Sequence, residues 1–281
     1  MRLRRLGWAG LELEAGGESV VVDHVLDPRI FSAFFEEPRD EFIAPEPGRA
    51  QAALLTHLHR DHADVAAIEQ AVTSGGSVLR PARKRVESAL DEFATGEAET
   101  ALAASGLQVR SCVPADAFEI GPFTITTLPA SDGLGSPQVS WLIRADSQSV
   151  LHAGDTLWHG GWWNVPAAHG PIDVAVLPAN GVEVDYPQWQ PAVTVPAVMT
   201  PEQAVEAARA LQARSLVPIH FNRTFEHHNY YRPLADAGQR IEELAAAREI
   251  SVRFLEPGDW VDVELPSRSD PSPTGANGGM H

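Results

Sequence analysis

Cysteine occurs once in the 281 residues, at Cys112, and lysine once, at Lys84. A lone cysteine excludes an internal disulfide, and Met1-Arg2-Leu3-Arg4-Arg5 runs into alternating, strand-like sequence rather than a long apolar stretch, so a cytoplasmic location is expected. No apolar run approaches the roughly 18 residues of a membrane span, so no membrane insertion is expected. Positive charge is scarce: 21 Lys and Arg face 38 Asp and Glu, a net charge of −17. Such a chain repels a phosphate backbone and an anionic membrane surface, and no nucleic-acid partner is expected. Charged residues still make up 21% and hydrophobic residues 44%, enough for a sizeable core, which excludes a disordered, collagen-like or coiled-coil chain.

The opening reads as a β-meander: Leu3 to Trp8, then Leu11 to Glu14 alternating apolar and acidic, a Gly16-Gly17 turn, and Ser19-Val20-Val21-Val22 ending at Asp23. Residues 24–48 hold four prolines with Ile30-Phe31 and Phe34-Phe35, the pattern of a long ordered loop or lid. Ala52-Ala53-Leu54-Leu55 is a buried strand, and helices are expected from Asp64 and over Ala82 to Phe93. Strands follow at Phe123–Thr127, Val139–Ile143, Ser149–His152 and Ile172–Leu177. Thr200-Pro201-Glu202-Gln203 has an N-cap, a proline at the first helical position and a glutamine at the third, so a helix should run to about Ala213. Ser215 to His220 is the strand behind it, a helix near 234–248 comes next, and short strands at Val252–Phe254 and Trp260–Val263 close the ordered part. No short repeat stands out, and the order suggests two packed sheets with helices outside. One domain over 1–265 is expected, with a disordered tail over 266–281, rich in Ser, Pro and Gly.

The most informative segment is His57-Leu58-His59-Arg60-Asp61-His62, directly after an apolar strand. Three imidazoles and a carboxylate within six residues supply nitrogen and oxygen ligands for a borderline divalent metal, and a turn behind a strand can aim several of them into one cavity. A polar surface loop that merely contains histidines is the competing reading.

With this motif the chain resembles the metallo-β-lactamase fold hydrolases, in particular the branch with ascorbate-phosphate lactonases and N-acyl phosphatidylethanolamine phospholipases D. The family's HxHxDH is matched by His57, His59, Asp61 and His62, its Gly-Asp-Thr by Gly154-Asp155-Thr156, and its last strand-end histidine by His220. The resemblance implies an α/β fold, the αββα sandwich of two sheets with helices on the outer faces, and a centre of two divalent ions, zinc foremost. The branch commonly carries Pro-Ala-x-His between these motifs, where this chain has Pro129-Ala130-Ser131-Asp132. A carboxylate there hardens the site toward Mn²⁺ or Fe²⁺. Alternatively Asp132 serves only an Asp-Gly turn and that site is weak or empty.

On this reading His57, His59 and Asp132 hold one ion, Asp61, His62 and His220 a second, and Asp155 bridges them. Hydrolysis would depend on Asp61 and Asp155 above all. Two such cations ionise a shared water near neutral pH and stabilise an oxyanion, so metal-dependent hydrolysis is the expected activity. Three indoles in Trp158-His159-Gly160-Gly161-Trp162-Trp163, with Tyr186 and Trp189, suggest an apolar or aromatic pocket wall, although packing as a satellite core explains them equally. Without a basic cluster near the motifs, a small-molecule ester, lactone, thioester or amide is expected ahead of a phosphodiester. His152 could support the ligands, His227 and His228 could line the cavity, and Asn180 or Asn222 could assist an oxyanion. His24, His159 and His169 read as loop residues. An iron-dependent redox enzyme and a non-catalytic metal-binding relative are the alternatives, and assembly into a homo-oligomer stays open.

Overall fold

A computed structural model of the chain describes residues 1–31, 41–83, 89–135, 137–185, 193–220 and 231–263. Much of the expected 24–48 loop, all of His227 and His228, and the expected tail lie outside these residues.

The first half contributes β1 (Arg2–Gly7), β2 (Gly10–Ala15), β3 (Glu18–Val22), β4 (Ala50–Leu54), α1 (Val65–Ala71), β5 (Val72–Pro81), α2 (Ala89–Ala104) and β6 (Gln108–Cys112). The second contributes β7 (Ala117–Ile120), β8 (Phe123–Pro129), β9 (Val139–Ala145), β10 (Gln148–His152), α3 (Asn164–His169), β11 (Val174–Pro178), β12 (Glu183–Val184), β13 (Val195–Pro196), α4 (Pro201–Ala210), β14 (Ser215–Ile219), β15 (Tyr231–Arg232), α5 (Ala237–Ala246), β16 (Ser251–Val252) and β17 (Val261–Asp262).

Two seven-stranded sheets result, ordered β17-β1-β2-β3-β4-β5-β6 and β16-β14-β11-β10-β9-β8-β7, beside a small β13-β12-β15 sheet. Both large sheets follow one plan: an antiparallel meander, then parallel strands reached through crossovers. Local chemistry dictates the meander turns. Gly16 and Gly17 both take positive φ (58° and 82°), the two-residue hairpin geometry that favours glycine.

The parallel strands are apolar on both faces because each face is covered. In β3, Val20 and Val22 enter the core between the sheets while Val21 joins the outer core under α1 and α2. In β11, Val174 and Val176 enter the same central core while Ala175 and Leu177 join a third core with Val205, Ala208 and Leu211 around α4, and Ile241 and Ala245 of α5. Three cores between four layers make the αββα sandwich that the sequence implied.

Several elements differ from expectation. The second helix ends at Ala104 rather than Phe93, and β5, which glycine and serine had hidden, runs from Val72 to Pro81. Gly76 must be glycine there, because a Cβ would sit 2.8 Å from the Gln51 carbonyl oxygen, where the register with β4 shifts. His169 ends α3 and is not in a loop.

Candidate metal centre

All seven candidate ligands lie beyond the C-terminal ends of strands, where a sheet of this kind opens a crevice. After β4 the chain turns at Thr56, and the turn closes when the amides of His62 and Ala63 donate to the His59 carbonyl (3.0 and 3.1 Å). Asp64 then caps α1 by accepting from Ala67 N, and its other oxygen takes the amides of Leu26 and Asp27. The motif is thereby clamped between strand and helix.

A buried carboxylate that the sequence reading passed over, Asp23 at the end of β3, organises this turn. It accepts from the Thr56 amide (2.8 Å) and from the Thr56 hydroxyl (2.6 Å), and Asp23 Oδ2 lies 2.8 Å from His62 Nδ1. The Thr56 hydroxyl spends its one proton on Asp23, so it accepts from His57 Nδ1 at 2.9 Å. Both imidazoles are thus assigned Nδ1–H, which leaves the Nε2 lone pairs of His57 and His62 for the cavity.

Asp155 follows β10 through Gly154, whose φ is +63°; a Cβ at Gly154 would lie 2.6 Å from the Thr56 side chain. Only glycine lets the two loops come this close. His152 Nε2–H donates to the Ala9 carbonyl (2.9 Å), and its Nδ1 accepts from the Gly154 amide (3.3 Å), so His152 supports the loop and is not itself turned to the cavity. His220, after β14, has φ +50° and lies with Nδ1 3.2 Å from the Tyr231 hydroxyl. Asp132 makes the expected turn and also faces His59. Its Oδ1 accepts from Leu134 N (2.6 Å) in the turn, while Oδ2 faces His59 Nδ1 at 4.0 Å. A clasp of Ser131 N to Thr156 Oγ1 (3.0 Å) and Leu157 N to Ser131 O (2.8 Å) joins the Asp132 and Asp155 loops.

Two groups emerge, each able to offer ligand atoms within 4.8 Å of one another: Asp61, His62, Asp155 and His220, and His57, His59 and Asp132. The His57 and His62 ring centroids are 4.1 Å apart, so the groups adjoin. Of the facing atoms, His62 Nε2 and Asp155 Oδ1 are buried facing each other at 3.1 Å, and His57 Nε2 and Asp132 Oδ2 are buried without a hydrogen-bond partner among the described residues. Buried polar atoms are rarely left so, and imidazole nitrogens aimed with carboxylate oxygens at a shared point suit divalent cations. The residues present therefore fit the metals the family implies.

The electrostatics agree. Burial opposes charge on Asp61 and Asp155, but His62 and His220 outweigh it and hold both carboxyls far below the usual range. Burial likewise opposes charge on His62 and His220, and the neighbouring carboxylates, Asp155 foremost, raise both. Burial pushes His57 well down, helped by His62 and His59, and pushes Asp132 up. The carboxylates thus favour positive charge at His62 and His220, the charge balance that a bound cation would supply instead.

The surrounding residues narrow the earlier readings. Trp162 is buried in the helix-side core and stacked on His159 at 4.3 Å, and Trp158 packs partly against the same core. Trp163, 53% exposed and edge-on to Trp158, is the indole of this loop that faces solvent. Tyr186, Trp189 and Asn222 lie outside the described residues. Asn180 is engaged by Val182 N and the Tyr231 hydroxyl. Arg60 leans 3.0 Å from Glu97 of α2. Asp23, Trp8 and Tyr231 were not found from sequence; a polar residue ending an all-apolar strand was the available signal for Asp23.

A model of the beta-lactamase superfamily domain matches residues 18–221. A UPF0173 metal-dependent hydrolase of Thermococcus kodakarensis is 26% identical over 275 residues, covering 94% of this chain and 100% of the relative. Among solved structures, CmlA, a diiron beta-hydroxylase from Streptomyces venezuelae, superposes with TM-score 0.68 at 19% identity, covering 91% of this chain and 52% of that one. The metallo-beta-lactamase fold protein YhfI from Bacillus subtilis does so with TM-score 0.60 at 15% identity, covering 93% and 99%. With the matched span reaching from β3 to just past His220, the chain belongs to the beta-lactamase superfamily, and its fold is the metallo-β-lactamase sandwich.

Proposed function

We propose that this chain is a metal-dependent hydrolase acting on a small ester, lactone, thioester or amide. The observation that carries the reading is the convergence of seven imidazole and carboxylate side chains in two adjoining groups, with His57 Nε2 and Asp132 Oδ2 buried and without a hydrogen-bond partner among the described residues. Divalent cations held there, zinc foremost with manganese or iron made more competitive by the Asp132 carboxylate, would bring the pKa of a water toward neutrality and offset charge on the attacked carbonyl oxygen.

The chain's own groups have separable tasks. His57, His59 and Asp132 form one cradle, and Asp61, His62 and His220 the other, with Asp155 between them. Asp23 orients His62 directly and His57 through Thr56. Asp61, whose side chain is 27% exposed against 11% for Asp155, would orient the attacking water by accepting its hydrogen bond. An apolar or aromatic acyl group is the substrate this reading favours, with the exposed Trp163 of the loop after Asp155 as its candidate contact. Arg60, the one cationic side chain within the motif, is paired with Glu97, which favours a substrate of low negative charge.

The test is elemental analysis of untagged protein, then a screen of lactones, esters and phosphodiesters on the wild type and on Asp61→Ala and Asp155→Ala. About two metals per chain, and hydrolysis lost in both variants, are expected. Protein that stays metal-free after reconstitution would refute the reading. A second reading, iron-dependent oxygen chemistry, draws on the Asp132 carboxylate and on the fold shared with a diiron hydroxylase. Iron occupancy with oxygen consumption and no turnover in the hydrolysis screen would select it.

A further inference from the structure

We propose that Trp8 is a positioning residue of the Asp61, His62, Asp155 and His220 group, its indole N–H fixing Asp61 and its ring fixing His220; this rests on the metal-centre reading above. Trp8 Nε1 donates to Asp61 Oδ2 at 3.0 Å, and the Trp8 ring lies 4.3 Å from the His220 ring, tilted by 55°. One side chain thus touches two of the four candidate ligands.

Its placement is unusual for a residue whose task is only to fill space. Trp8 has φ +41°, a left-handed conformation in which a bulky residue is strained, and it is 1% exposed. The surrounding turn holds it there from both sides. Arg5 Nε donates to the Trp8 carbonyl at 3.4 Å, and His152, on the opposite sheet, donates to the Ala9 carbonyl at 2.9 Å. Gly7 takes φ +124° with the Phe42 ring where its Cβ would stand, at 2.9 Å. Strain overdetermined by its surroundings and aimed at a candidate ligand marks a functional turn.

The chemistry of the donor fits the task. An indole N–H only donates and never carries charge, so it can fix the orientation of Asp61 without neutralising the carboxylate that a cation requires. An arginine or lysine in its place would compete with the cation. The ring also bars rotation of His220, whose other nitrogen is held at Tyr231, and so keeps Nε2 facing Asp155 Oδ2 at 3.0 Å. Partners behind metal ligands typically account for about 10-fold to 100-fold in affinity.

The experiment titrates full-length, metal-free protein with Zn²⁺ against a chromophoric chelator, comparing the wild type, Trp8→Phe, Asp61→Asn and the double variant. Phenylalanine keeps an aromatic ring beside His220 and removes the N–H. One zinc equivalent should bind as in the wild type, and the other about 10-fold to 100-fold more weakly, with no further loss when Trp8→Phe is added to Asp61→Asn. Two equivalents at wild-type affinity in Trp8→Phe overturn the proposal, and so does equal weakening of both, which marks general packing damage. Wild-type protein that binds neither zinc nor, in a parallel titration, Mn²⁺ or Fe²⁺ sinks the metal-centre reading itself, and this proposal with it. If Trp8→Phe does not fold, the indole N–H spectrum of ¹⁵N-tryptophan protein replaces it. One of the seven indole signals should move both with zinc and in Asp61→Asn; no signal responding to both overturns the proposal.

Discussion

Asp132 shows how one side chain serves a turn and a cavity at once, because its two oxygens face different ways. Replacing it by histidine trades a hard oxygen ligand for a borderline nitrogen. Asp132→His should therefore shift competitive loading from an equimolar Mn²⁺, Fe²⁺ and Zn²⁺ mixture toward zinc, read by elemental analysis of the recovered protein; an unchanged ratio would remove Asp132 from the cradle. Gly154 is the second sensitive position. Alanine there adds a left-handed penalty of about 1–2 kcal/mol and an overpacking penalty of about 1–3 kcal/mol against Thr56. Urea unfolding of Gly154→Ala should show the corresponding loss, with weaker metal uptake because Asp155 moves. At this scale the seven candidate ligands were legible because histidines and acids stand at recognisable spacings after strands. Asp23, Trp8 and Tyr231 were not, because each acts through a contact between segments 11 to 53 residues apart, and spacing carries no trace of it.

Elements whose signal is local were the readable ones. Thr200-Pro201-Glu202-Gln203 promised a capped helix, and α4 has the full capping box, Thr200 Oγ1 on Gln203 N and Gln203 Oε1 on Thr200 N. The later part of α2 was missed because Ala94 to Ala104 is rich in alanine and shows little apolar periodicity, although alanine favours helix. There Ala98 and Leu102 bury against the first sheet. β5 was missed for the converse reason, since Ser74, Gly75, Gly76 and Ser77 look like a turn until neighbouring strands pair with them. Asp64 joins elements as well as capping one: besides Ala67 N it accepts two amides from the segment after β3. Asp64→Ala should cost more than an ordinary N-cap, about 2 kcal/mol or above, in chemical denaturation. A loss near 0.5 kcal/mol would mean that water replaces those contacts.

Across the whole molecule, acid sensitivity follows from a group away from the ligands. Burial pushes the His24 imidazole down to about 4, against the pull of Asp64 and with some help from Arg4. Between that value and the ordinary 6.5 the unfolded chain takes up a proton that the folded chain refuses, so stability falls as pH drops through this window. At about 1.4 kcal/mol per unit the loss is of order 3 kcal/mol, complete near pH 4. His24→Gln should flatten that part of the stability curve relative to the wild type; parallel curves would show that His24 titrates normally. The four-layered plan of the fold was legible from the order of elements and from the resemblance, whereas the shared design of the two sheets was not, since it resides in strand order rather than in repeated residues.

The turn at Val113–Asp116 links the edge strand β6 of one sheet to the edge strand β7 of the other, with Val113 51% exposed. His57, His59, Asp61 and His62 precede it, while Asp132, Asp155 and His220 come after. Severing the chain there would leave two polypeptides, each holding an incomplete share of either cradle. If the cradles hold divalent cations, the rejoining should be tuned by the free concentration of those cations, and the seam of the sandwich would serve as an ion-gated fragment-complementation reporter.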